Sequence, residues 1–517
     1  MLHFFKSGRQ KEYTAQVQKA IAEIDAGNES YLPVAYQLLV NADARAMEEI
    51  AEAVAAYMRR LNPAGILHLN EHFRQYTSME WWIEWRKVDI DIWEKTISDK
   101  DNFLWLVRLG TMHPNGWFRE KCIRKLEGDK ASAKFLLLRL NDWVEPVRKA
   151  AWDIYELMPD LNFEEAMDSF PYMEKLVRSE RVNISYIHRI ENRLIEILQA
   201  NFAAVLHLNM KIYDERSRKY LYRLIMEHKL SDQETIKAIL KREKSGQCQK
   251  VIMTLFMDQY ELSPEEAEAF LSYKGMVVQR MTLEYKYGLL GNYWDGVEKM
   301  LLSPYASVRE FTRYILKRHT EIDILQYYRE RLDTEKRTIC ILGIGESGKA
   351  EDAEILMPFL EDKDAATVRN AIHAISLLKG DDARELYWKL LTDGRPVVMR
   401  AAYREMAANN IAYGAKQVFE LYRNTDSEAL KEKLSCQFQR ENSWERLPYL
   451  LQLYWCENDK IQETVRKCIA RRSMYGKVSW AEAERILTIL HDEANRIPEE
   501  VQKSIAFDLK YVTVKPQ

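Results

Sequence analysis

A basic residue returns near the start of amphipathic helical stretches at Arg119, Arg148, Arg280, Arg309, Arg337, Arg369, Arg400, Lys433 and Arg466. From Arg280 onward the steps are 29, 28, 32, 31, 33 and 33 residues. Between Arg148 and Arg280 the positions Arg189, Arg218 and Lys250 fill the same spacing loosely. A period of this size makes chain length a count of stacked units, because one helix pair cannot bury its own apolar face and must stack on its neighbours. An acidic turn precedes several of the basic residues: Asp142 before Arg148, Asp364 before Arg369, Asp393 before Arg400 and Asp459 before Arg466.

Between these positions the chain reads as two helices joined by polar turns. In one unit Glu354–Leu360 carries apolar residues on one face, Glu361–Asp364 is a turn, and Val368, Ala371, Ile372, Ile375 and Leu378 follow at helical spacing. Gly380 suits the end of that helix. Ser231 with Glu234, Ser479 with Glu482, and Ser263-Pro264 with Glu266 read as helix starts. With 18 Gly and 13 Pro in 517 residues and no convincing alternating strand, the expectation is an all-α chain.

Charge is nearly balanced, 76 Lys and Arg against 79 Asp and Glu, and the blocks 1–100, 101–200, 201–300, 301–400 and 401–517 carry −3, −1, +1, −1 and +1. Nucleic-acid binders concentrate basic charge, since counterion release drives their affinity. No such asymmetry exists here at the scale of a domain. The longest apolar runs, Phe135–Leu138 and Ile339–Ile344, fall far short of the roughly 20 residues that span a bilayer. The first residues lack the pattern of a signal peptide. The scattered Cys122, Cys248, Cys340, Cys436, Cys456 and Cys468 read as reduced thiols, and the expected location is cytoplasmic.

The helix pair of about 31 residues with its Asp and Val-Arg signature resembles the HEAT repeat, including the short form found in phycobilin-lyase-type proteins. The resemblance implies a right-handed α-solenoid of stacked antiparallel helix pairs, curved into a superhelix. It also implies structural ladder roles for Asp364, Arg369, Asp393 and Arg400. The match is best over 291–472 and good over 100–157. The organisation expected is an atypical capping unit at 1–99, repeats over 100–280 that degenerate in 158–280, regular repeats over 281–472, and C-terminal capping helices with a tail over 473–517.

Three motifs suggest chemistry. Gly343-Ile-Gly345-Glu-Ser-Gly348-Lys349 looks like a phosphate loop, but Ala350 stands where a Mg²⁺-binding hydroxyl belongs and the preceding segment reads as a helix. The expectation is a turn between two repeat helices. His68-Leu-Asn-Glu71-His72 matches a zinc-protease pattern, yet a third ligand is missing, so no metal or other cofactor is expected. Trp81, Trp82 and Trp85 cluster within one turn and offer either core packing or an aromatic contact for a partner.

In HEAT-like stacks the helix bearing the Val-Arg pair lines the concave side. One turn beyond each ladder residue stand Trp152, Arg313, Ile341, His373, Arg404, Gln437 and Ala470. The expected function is a non-enzymatic scaffold that binds a protein or peptide along this surface. Trp152, Arg313, His373 and Arg404, with Trp81, Trp82 and Trp85, are the candidate contacts, and an acidic segment is the expected chemistry. The alternative is a nucleic-acid-binding relative of the alkylpurine DNA glycosylases, against which the balanced charge argues.

Overall fold

The computed structural model describes residues 2–76, 83–207, 213–334, 336–473 and 475–514, with side chains at all of these except 2–11, 74–76 and 206. Among the described residues the chain is helical throughout. Extended pairing is confined to one isolated parallel bridge between Val478 and Thr513. Two compact units divide it, residues 1–286 and 287–517.

In the first unit Ala44–Arg59 packs against Leu2–Asp25 and Lys100–Gly110. Gly116–Arg124 packs on Glu145–Glu156, and Ala133–Arg139 on both Glu145–Glu156 and Phe163–Leu176. Phe163–Leu176 then packs on Glu215–Glu227, and that helix on Gly246–Gln259. In the loosely spaced region Ile184–Ala200, which carries Arg189, packs on Phe163–Leu176, and Phe163–Leu176 makes the contact with Glu215–Glu227. One continuous apolar core runs from Val17 to Val278, so each pair buries its face on the next and not on itself.

In the second unit the order is plainer. Arg337–Ser347 packs on Ala365–Lys379, that helix on Pro396–Ala408, the next on Glu428–Gln437, and that on Asp459–Ala470. Each is preceded by another helix that packs against it: Ile324–Arg329, Ala353–Leu356, Arg384–Leu391, Ala415–Asn424 and Leu447–Gln452. The second helix of one pair touches the second helix of the next, at the spacing read from the basic residues.

Local chemistry fixes where helices start. Ser263 and Glu266 cap each other reciprocally with Pro264 at the first position, and the Ser479 hydroxyl accepts from the Glu482 amide at 3.2 Å. The expected start at Ser231 lies one residue too early. Asp232 is the cap, its side chain accepting from the Thr235 amide at 2.8 Å and so satisfying one of the unpaired first-turn N–H groups.

Candidate functional site

Arginine–carboxylate ties join consecutive pairs, and they run forward from the ladder arginine to the acid that precedes the following second helix. Arg119 donates from Nη2 to Asp142 Oδ1 at 2.7 Å with both groups fully buried. Arg218 grips Glu243 through Nε at 2.9 Å and Nη2 at 3.2 Å. Arg337 reaches Asp362 at 3.4 Å. Burial alone would raise the Glu243 carboxyl. Donation from Arg218, the Ser245 amide and the Tyr222 hydroxyl instead holds it below its ordinary value.

The ladder residues expected in the best-matching repeats work differently. Asp364 caps its own helix through the Ala366 and Thr367 amides, beside the charge of Arg369. Arg400 donates to the Pro396 carbonyl within its own helix. Asp393 instead positions Arg395 at 2.6 Å, and Arg395 reaches back to the Leu360 carbonyl at 2.9 Å and the Asp362 carbonyl at 3.3 Å. Here the tie runs to the backbone because the arginine sits at the helix N-cap, five residues before Arg400.

The expected column is built into this framework. Arg313 is 12% exposed and donates to Glu346 Oε2 at 2.6 Å. The same carboxylate takes the buried Arg309 through Nε at 3.0 Å. His373, 41% exposed, meets Glu405 Oε2 at 3.1 Å, and Arg404, 55% exposed, meets Glu405 Oε1 at 2.8 Å. Burial raises Glu405, but donation from His373 and Arg404 brings its carboxyl below the ordinary value. Ile341 and Gln437 are buried, with Gln437 donating to the Ile411 carbonyl at 2.7 Å. His373 and Arg404 are thus the polar candidates that reach solvent, and a single carboxylate on the second helix holds both.

The aromatic candidates are placed as core. Trp152 is buried, stacked on Tyr186 with ring centroids 3.9 Å apart and planes 4° apart. Trp85 is buried edge-on to Phe118 at 5.1 Å and against His113 at 4.2 Å. Trp81 and Trp82 lie outside the described residues. Exposed tryptophans occur elsewhere, at Trp117, Trp143, Trp455 and Trp480. No periodic signal marked them, since each sits at a helix boundary, off the apolar face.

The phosphate-loop pattern is mostly helix, and its last residues, Gly348 and Lys349, form the connection to the next helical turn. Gly343 and Gly345 lie inside Arg337–Ser347. A Cβ on Gly343 would fall 2.3 Å from the Tyr328 ring, and one on Gly345 would fall 2.6 Å from Ala374 Cα. These glycines let neighbouring helices approach closely, and the Glu346 between them and Lys349 serves Arg309 and Arg313. His68 and His72 stack on each other at 4.2 Å, and Glu71 is engaged by Lys175. Among the described residues no group of three or more His, Cys, Asp or Glu is placed to hold a metal ion. No described helix is long and apolar enough to cross a membrane.

Fold and site together define an all-helical protein whose successive helix pairs are tied by arginines to acids or carbonyls of the neighbouring pair. No family model and no curated protein matches the chain. A solved structure from work on tubulin recruitment and assembly by microtubule polymerases with tumor overexpressed gene (TOG) domain arrays aligns with 90% of this chain and 98% of its own, at 14% identity and a TM-score of 0.17.

Proposed function

We propose that the chain is a HEAT-like α-solenoid acting as a non-enzymatic cytoplasmic scaffold, with a protein or peptide held along the concave side of its second helices. The observation that carries this reading is the serial packing of second helices from Arg337–Ser347 to Asp459–Ala470. Such a stack presents one level of side chains per repeat, and extended partners bind along surfaces of that kind. His373 and Arg404 are the contacts assigned there. Glu405 holds both in place, so less side-chain entropy is lost when a partner docks. The balance of 76 cations against 79 acids favours a protein partner over nucleic acid.

The test is cross-linked affinity purification from the native host, comparing wild type with a His373→Glu, Arg404→Glu double variant. A protein that cross-links to the second helices in the wild type and is lost from the variant is the expected result. Partners that are retained unchanged, or nucleic acid recovered in place of protein, would overturn the reading.

A further inference from the structure

The first unit contains an open groove of about 400 Å³ bounded by Pro63–Tyr76, by the turn after Ala133–Arg139, and by Phe163–Leu176 with the residues beyond it. Its floor is fixed by Asp142. That buried carboxylate accepts from Arg119 at 2.7 Å, Arg139 at 3.2 Å and the Val144 amide at 3.0 Å, while its carbonyl accepts from Arg148 at 2.7 Å. A turn held from so many sides has little freedom, and it carries Trp143 outward into the groove wall. Trp143 remains 61% exposed. The Arg119 guanidinium lies 5.8 Å from the centre of its ring.

An exposed tryptophan on a rigid turn beside a concave surface is a strong contact for a partner, because its large apolar area is ready to be covered at low entropic cost. The lining carries Arg139, Lys175 and Arg181 against Glu71 and Asp142. Lys175 engages Glu71 on one side, and Arg181 is exposed, its amide donating to Asn141 Oδ1 at 3.3 Å, with no ion pair of its guanidinium among the described residues. The acids that line the groove, Glu71 and Asp142, are both engaged by cations.

We propose that this groove binds an acidic peptide segment of a partner protein, with an aromatic or aliphatic side chain laid on Trp143 and a flanking carboxylate on Arg181. Charge complementarity selects this occupant. The blocks 1–100, 101–200 and 201–286 carry −3, −1 and +2, so the unit is net −2, whereas the groove lining, with three cations and two acids, is net +1. A phosphate polymer gains affinity from many contacts along a broad basic field, whereas a short acidic segment needs only a local one. The inference rests on the scaffold reading in taking a protein as partner, and assigns a contact separate from His373 and Arg404.

The experiment is fluorescence anisotropy of the full chain with three labelled probes: the peptide DEDFEDE, its neutral counterpart NQNFQNQ, and a twelve-residue oligothymidylate. DEDFEDE is expected to bind, more weakly as salt rises, and NQNFQNQ to bind poorly. Trp143→Ala and Arg181→Glu are each expected to weaken DEDFEDE by about tenfold or more, while the surface change Lys416→Glu in the second unit leaves it unaltered. Both groove variants alter exposed side chains, and thermal melts that match the wild type establish that they fold. The groove assignment is overturned if DEDFEDE fails to bind, if neither groove variant weakens it, or if the oligothymidylate binds better in a Trp143-dependent way. Loss of the peptide result with cross-linked partners retained through His373 and Arg404 removes the groove alone. Peptide binding with no cross-linked partner removes the second-helix reading and leaves the groove.

Discussion

The charged residues that tie neighbouring helix pairs beside the apolar core differ in their energetics from surface ion pairs. Arg119 and Asp142 are both fully buried, and removing one member of such a pair strands the other in a low-dielectric interior at a cost of about 3–5 kcal/mol. Asp142→Ala is therefore expected to lower the unfolding free energy by about that amount, read from the denaturant midpoint at unchanged slope. Glu243 allows the same logic to be followed with pH. Its folded carboxyl lies below the ordinary value of 4.5, so the deprotonated form is favoured more by the folded state than by the unfolded one. Its contribution is complete above about 4.5 and is lost as pH falls through the lower folded value. Glu243→Gln should flatten the acid limb of the stability curve below that point, and an acid limb as steep as wild type would assign the pH dependence to other carboxylates.

At the scale of the element, legibility in the sequence follows from how each signal is encoded. The second helices were visible because an arginine near the helix start recurs at nearly constant spacing, and Asp142 was visible as an acid in the turn ahead of one. Glu346 and Glu405 were not, although they hold Arg313, His373 and Arg404. An acid within an amphipathic helix reads like any solvated one until the neighbouring helix is placed beside it. Trp152 illustrates the converse, since an aromatic one turn from a ladder residue has the same pattern whether it faces a groove or the adjacent helix. The glycines of Arg337–Ser347 looked like a turn because glycine disfavours helices. Here they answer a different demand, the approach of Tyr328 and Ala374. Gly345→Ala would force a Cβ to within 2.6 Å of Ala374 Cα, and because that neighbour is backbone the helices must separate. The expected loss is about 1–3 kcal/mol, measured as a lower melting temperature, with Gly288→Ala, where a Cβ meets open space, losing none. Equal melting temperatures for the two variants would contradict the close-packing role.

At the scale of the whole molecule, most interfaces are made by helices close in sequence, with Pro63–Tyr76 against Phe163–Leu176, tied by Glu71 and Lys175, as an exception. Core packing and ties follow the same rule: Arg119 with Asp142, Arg218 with Glu243, Arg309 and Arg313 with Glu346, Arg395 with the Leu360 carbonyl. A defect should then open the chain locally before it unfolds globally, since opening one interface exposes only the helices on either side. Glu346→Ala provides the sharper version of this test, because it strands two guanidiniums that are 2% and 12% exposed. Hydrogen exchange followed by mass spectrometry is expected to show faster exchange in Ala306–His319, Arg337–Ser347 and Ala365–Lys379. Asp459–Ala470 and the helices of residues 1–286 should keep wild-type protection. Asp142→Ala should give the complementary pattern, with loss centred on Gly116–Arg124, Ala133–Arg139 and Glu145–Glu156. Uniform loss of protection in either variant would mean that the chain opens as one cooperative body. The ties would then contribute to a single global transition and not to a series of local ones.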